Sequence, residues 1–342
     1  MYINNVNKLV KEFFKILAVD YPEWMNDYIE AKEMLKQQYI SVICGKIYSN
    51  MFNYNDYSSL DHSIGVALIV WNFTHDKKQT LSGLFHDIAT PAFNHCVDFL
   101  NGDYMNQEST EELTKVIIEN SNEIMSLLKK DNISVDEVCD YHMYPIADND
   151  TPMLSADRLE YSLSNALIVF GDINLDEIRE IYNDIEIQNN ESGEIELGFR
   201  TKKIARKFVK LTSKLSVCYR DDETRFFMQV IADILKKVSC DGLITKRDLY
   251  ELSDSEVIDI IKKSKYNDVF NKLISVKKIS KSLDKPNCYY VKHGAKVRYI
   301  DPLFDGKRMS LECKIAKKMI DKNLQYKMDN YLFIDESLDI LW

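Results

Sequence analysis

The sequence predicts a mainly α fold with a small α+β appendage at its C-terminal end. Two observations carry that expectation. Apolar residues recur at helical spacing, as in Leu9, Val10, Phe13, Phe14 and Leu17, and again in Leu81, Leu84, Phe85 and Ile88. Only 10 Gly and 6 Pro interrupt a chain of 342 residues that is rich in Lys, Glu, Ile and Leu. Strand-like alternation is confined to short stretches after residue 183.

Taken in order, residues 1 to 50 read as two or three helices, with Tyr39, Val42 and Ile43 continuing the apolar pattern to Cys44-Gly45. The Asn-, Asp-, Tyr- and Ser-rich segment from Tyr48 to Leu60 reads as a loop. An apolar helix then opens at His62 and runs through Trp71. The stripe Leu81 to Ile88 predicts a helix carrying His86, ended by Thr90-Pro91 because the residue before Pro disfavours the α region. A long amphipathic helix is expected from Glu108 to Lys130 and a shorter one over Val135 to His142. Thr151-Pro152 is expected to start the helix of Asp157, as N-cap and first turn. Asp184-Ile185-Glu186-Ile187 and Glu194-Ile195-Glu196-Leu197 alternate around Asn189 to Gly193, which predicts a hairpin. Two helices follow, about Lys202 to Leu215 and Thr224 to Val238. Paired strands are expected at Tyr289–Val291 and Lys296–Ile300, with a third at Tyr331–Ile334. The expected division is 1–55 (N-terminal helices), 56–240 (core) and 241–342 (C-terminal appendage).

Composition narrows the function. With 45% hydrophobic and 29% charged residues the chain reads as an ordinary soluble globular protein. A net charge of −10 argues against broad DNA binding, which needs a basic footprint. It leaves room for a phosphate substrate, since a bound cation sets the field inside a cleft. Seven scattered Cys without a CxxC pair fit reduced thiols in a cytoplasm. The first residues lack the pattern of a signal peptide, and the longest apolar run, Val66 to Trp71, is too short to cross a bilayer. The expectation is a cytoplasmic protein with no membrane partner.

Four side chains suggest chemistry: His62, the adjacent pair His86-Asp87, and Asp157. Imidazole nitrogen beside carboxylate oxygen suits a divalent first-row metal better than calcium. Two His and two carboxylates would leave octahedral positions open for water and a phosphate oxygen, so that the ion polarises phosphorus and acidifies the water. Singly, each residue is as well read as a core or surface side chain; their joint order carries the inference. That order, with the words Ser59-Leu60-Asp61-His62-Ser63-Ile64-Gly65-Val66, His86-Asp87-Ile88-Ala89-Thr90-Pro91-Ala92-Phe93-Asn94-His95 and Asp157-Arg158-Leu159-Glu160-Tyr161, resembles the HD-domain metal-dependent phosphohydrolases. Within them it is most similar to the deoxynucleoside triphosphate triphosphohydrolase (dGTPase-like) branch. The resemblance covers roughly residues 40 to 170.

The resemblance implies an HD-domain helical core and one divalent metal ion (Mn, Fe, Mg, Ni or Co) held by His62, His86, Asp87 and Asp157. It implies catalytic assistance from His95, Asp98 and Glu108, with Asp98 orienting His95 as a general acid or phosphate donor. Arg158, Tyr161, Gln107 and Thr90 occupy substrate-contacting positions. The partner would be a nucleotide or phosphorylated small molecule, and a homo-oligomer is reasonable. Three positions depart from the branch: Ser59 replaces an Arg, Thr90 a His three residues after His-Asp, and Gln107 a His before Glu108. These departures motivate a second expectation, a catalytically degenerate HD module that binds metal and nucleotide as a regulatory or assembly protein. In dinuclear relatives a His near position 142 binds a second metal, whereas the local sequence favours a solvent or helix-end role for His142. Lys203, Arg206, Lys207, Lys210 and Lys214 form one basic helix face, read by default as solvated and otherwise as a polyphosphate or effector cradle.

Overall fold

A computed structural model describes residues 1–105 and 113–341. It is mainly α, as the sequence predicts. Helix α1 (Lys8–Leu17) starts where Asn7 accepts a hydrogen bond from the Leu9 amide, and it buries the stripe Val10, Phe13, Phe14 and Leu17. Two short helices, α2 (Met25–Ile29) and α3 (Lys32–Lys36), lead to the loop before α4 (Ser59–Thr74). Every residue of α4 from Ser59 to Val70 is buried. Such a helix is apolar on all sides because it crosses the interior rather than floating on it. Asp76 caps α5 (Lys77–Phe85), and α6 (Cys96–Leu100) follows the irregular segment 86–95.

Several predicted elements are relocated. His86 and Asp87 lie just beyond the last helical residue, Phe85, in a turn, so the helix stops before Thr90-Pro91 is reached. The expected helix from Glu108 begins in residues that fall outside the described ones. Its remainder is two helices, α7 (Thr114–Asn120) and α8 (Asn122–Asp131), parted at Ser121. Ser121 breaks it because its hydroxyl caps α8 at the Ile124 amide and donates to Glu33. The stretch 135–142 forms only two single-turn 3-10 segments. Thr151-Pro152 lies in a turn with a cis peptide bond, and α9 (Ala156–Ser164) starts instead at Ser155, whose hydroxyl accepts from the Arg158 amide.

Beyond α10 (Leu175–Tyr182), strands β1 (Ile185–Asn189) and β2 (Ile195–Phe199) form the expected antiparallel hairpin. Helices α11 (Lys202–Cys218) and α12 (Asp222–Cys240) are followed by α13 (Lys246–Glu251), α14 (Asp254–Lys262) and α15 (Asn267–Ser275). On α11, Lys207 pairs with Glu177 and Glu180 and Lys214 with Asp172, as on a solvated face. The late strands differ from expectation. Strand β3 (Ser280–Ser282) pairs with β6 (Tyr331–Phe333), Val291 makes one bridge to Leu332, and Lys296–Ile300 is irregular. Strands β4 (Leu303–Phe304) and β5 (Lys307–Arg308) extend the hairpin into a sheet ordered β1-β2-β4-β5, with β2 and β4 parallel. Helices α16 (Met309–Glu312) and α17 (Lys314–Leu324) follow β5, and α17 packs on α11.

Two apolar clusters fill the interior. One joins α1, α4, α5, α8, α9, α10, the hairpin and the first half of α11. The other joins the 92–99 segment with α12, α14, α15 and the C-terminal strand region. The sheet also fixes the approach to α9. Arg308 donates from both Nη atoms to Glu196, at 2.8 and 2.7 Å, and Glu196 accepts from the Leu154 amide. Glu196 is fully buried. Deleting one partner leaves the other charge unpaired in the interior, so Arg308→Met is expected to lower unfolding free energy by about 3–5 kcal/mol. Urea denaturation of the two chains measures that difference.

Candidate metal centre

Three buried elements bring four acceptor atoms together. His62 projects from the first turn of α4, His86 and Asp87 from the turn ending α5, and Asp157 from the first turn of α9. The two His Nε2 atoms are 3.2 Å apart. His62 Nε2 lies 3.1 Å from Asp157 Oδ1 and 3.8 Å from Asp87 Oδ2. His86 Nε2 lies 3.6 Å from Asp87 Oδ2 and 3.8 Å from Asp157 Oδ1. Because His86 and Asp87 sit in a turn rather than on a helix, both adjacent side chains can face one point.

The outer nitrogens decide what the inner ones are. His62 Nδ1 is hydrogen bonded to the fully buried carboxylate of Glu160. His86 Nδ1 contacts the Gly83 carbonyl at 2.8 Å. A carboxylate and a carbonyl only accept, so both Nδ1 atoms carry the proton and both neutral rings present Nε2 lone pairs. Two lone pairs and two carboxylate oxygens thus converge with no donor between them. That donor set fits a divalent cation, and His62, His86 and Asp87 alone already form a group able to hold one. Without a cation, a proton takes its place. Burial disfavours the His62 imidazolium, yet Glu160 and Asp157 outweigh it and hold its pKa well above the ordinary value. Asp157, although desolvated, is held below the usual carboxylate range by His62 and His86.

Glu160 escaped the sequence reading. It also accepts from the Tyr57 and Ser164 hydroxyls, at 2.8 and 3.2 Å, so its charge is well solvated by the protein. Its approach to α4 depends on Gly65: a Cβ there would stand 2.6 Å from Glu160 Oε1. The available signals were a carboxylate three residues after Asp157 and a glycine three residues after His62, each on the same helix face as its partner.

The cluster lines a cavity of about 620 Å³. Of the other candidate residues, His95, His142, Arg158 and Tyr161 line it as well. His95 Nδ1 donates to the fully buried Asp98 at 2.8 Å, which leaves a lone pair on Nε2 facing Arg298 Nη2 at 3.3 Å. Arg298 also lines the cavity; no sequence signal marked it, since it was read as a strand residue. Arg158 is spent on the 148–155 loop, donating to Asn149 Oδ1 at 2.6 Å and pairing with Asp148 at 3.2 Å. The Tyr161 hydroxyl makes no hydrogen bond within the described residues. Thr90 is buried outside the lining, its carbonyl accepting from Lys36. Ser59 is fully buried and its hydroxyl makes no hydrogen bond among the described residues. His142 is half-exposed, 3.1 Å from Asp140 and 3.4 Å from Asp148. Gln107 and Glu108 lie outside the described residues.

No family model matches the chain. It is 26% identical over 246 residues to the protein named uncharacterized protein YdhJ of Bacillus subtilis, covering 71% of this chain and 72% of that protein. It is 24% identical over 126 residues to metal-dependent phosphohydrolase cns2 of Cordyceps militaris, covering 37% and 36% respectively. No described helix is long and apolar enough to cross a membrane.

Two outcomes are expected from metal titrations. Glu160→Gln and Gly65→Ala each loosen the hold on the His62 ring and weaken divalent-ion affinity by about 10–100-fold. Below the raised pKa of His62, ion binding must expel a proton, so apparent affinity rises about tenfold per pH unit until that pKa is passed. A pH-independent affinity in that range would contradict the assigned tautomers.

Proposed function

We propose that this protein is a metal-dependent phosphohydrolase of the HD type, acting on a nucleotide or a related phosphate ester. The convergence of His62 Nε2, His86 Nε2 and the Asp87 and Asp157 carboxylates on one point carries this reading. The named activity of the Cordyceps relative supports it. When bound, a divalent cation supplies polarisation of the phosphoryl group and acidification of the attacking water.

The chain's own residues do the remainder. Glu160 and the Gly83 carbonyl hold the two imidazoles in the tautomer that binds a cation. Asp98 fixes His95 so that its Nε2 accepts from Arg298, which orients that guanidinium along the cavity. Arg298 is therefore the permanent cation for phosphate oxygens, while His95 acts as its positioning residue. A proton on His95 Nε2 would face the guanidinium, so this arrangement favours the positioning role over general acid. Tyr161 offers a hydroxyl donor from the same helix as Asp157.

Two features favour the second reading, a module that binds metal and nucleotide without turnover. Thr90 stands outside the cavity lining, and the Arg158 donors are engaged by the 148–155 loop. Incubating metal-loaded protein with dNTPs, NTPs, nucleoside monophosphates and simple phosphate esters separates the two. Release of phosphate, pyrophosphate or tripolyphosphate supports the enzyme and identifies the bond; binding without product supports the module. Asp87→Ala is expected to lose both bound metal and turnover, read by elemental analysis and the same product assay.

A further inference from the structure

Lys46 is a second feature of the cavity that the metal centre does not use. It opens a single 3-10 turn, Lys46–Tyr48, preceded by Gly45 in a left-handed conformation with φ 74°. That φ suits glycine, and a Cβ at Gly45 would collide with the Phe93 ring. The turn directs Lys46 inward, where the residue is only 6% exposed. Its ammonium lies 5.6 Å from the centre of the Phe52 ring and 5.7 Å from that of Tyr54. Lys46 also lines the cavity, as do Cys44, Thr224 and Met228.

Among the described residues the Lys46 ammonium makes no hydrogen bond and no ion pair. Asp221 is near enough to feel its charge but is committed as the N-cap of α12, accepting from the Thr224 amide at 2.8 Å. A buried ammonium loses its hydration, and two aromatic faces replace only part of it. The residue lines a cavity of about 620 Å³, large enough for a ligand. A Lys is almost never buried without a partner.

We propose that Lys46 anchors a second anion subsite in the cavity. The substrate then carries two anionic groups, the phosphoryl group at the metal centre and a phosphate or carboxylate at Lys46. Only the first group rests on the phosphohydrolase reading; the Lys46 subsite can be tested without it.

The full chain, freed of divalent ions with a chelator, is titrated with inorganic phosphate by calorimetry. Wild type is expected to bind saturably. Lys46→Met is expected to weaken binding by about tenfold or more, and Lys46→Arg to stay within about threefold, because the charge is retained. Equal binding by wild type and Lys46→Met, equal losses in the Met and Arg variants, or no binding by wild type would each overturn the proposal and leave Lys46 as a packing cation. A metal-loaded assay then names the group. Adenosine 3′,5′-bisphosphate is compared with adenosine 5′-monophosphate, and 3-phosphoglycerate with glycerol 3-phosphate. A wild-type preference for the doubly anionic member that Lys46→Met removes assigns phosphate in the first pair and carboxylate in the second; no preference in either pair overturns the proposal. If none of the four is hydrolysed, the phosphohydrolase reading fails for them while the phosphate titration still decides Lys46.

Discussion

Four lone-pair-bearing atoms meeting without a donor is the constraint from which the rest of the molecule follows. Two imidazole nitrogens 3.2 Å apart, flanked by two carboxylates, repel one another unless positive charge sits among them. Holding such a cluster requires rigid support on every side. The buried α4 provides one wall, the turn after α5 a second and the start of α9 a third. Glu160 ties the first and third walls together, and Gly65 lets them approach. Further out, Ser155 caps α9, and the Arg308–Glu196 pair links the sheet to the residues before that helix.

Much of this framework is legible in the sequence because it is local. The stripe of α1, the apolar run of α4 and the hairpin at 185–199 each repeat with the period of the element they form. All four converging side chains stand in three short words whose neighbours are equally informative. Element ends were harder to read. Ser121 splits a continuous amphipathic pattern by capping α8 at the Ile124 amide while its hydroxyl donates to Glu33, a contact distant in sequence. Lys296–Ile300 has strand composition but joins no sheet among the described residues, and it runs as irregular chain past the cavity. Composition reports what a segment would form if a neighbour were supplied, and only tertiary structure supplies the neighbour.

The residues missed at the site share that character. Arg298 meets His95 across most of the chain, and Lys46 gains its meaning from Phe52, Tyr54 and an inward turn. Glu160 takes its role from its complete burial beside His62. In each case the functional property is a relation between a charge and its surroundings. The sequence displays the charge but not the dielectric around it. Conversely, Thr90 and Arg158 were singled out by position in a motif, and the structure uses both to secure loops.

The cavity combines fixed cations with a cluster built to take a cation of its own, the arrangement that phosphate chemistry demands. Its walls come from both apolar clusters: Val42 and Tyr141 pack with the first, Cys44 and Met228 with the second. The most direct test of the central claim is X-ray absorption at the edge of bound manganese or iron in the full-length protein. The account predicts one ion whose scattering shows two imidazole rings with oxygen donors completing the shell. A spectrum with no imidazole contribution would contradict it.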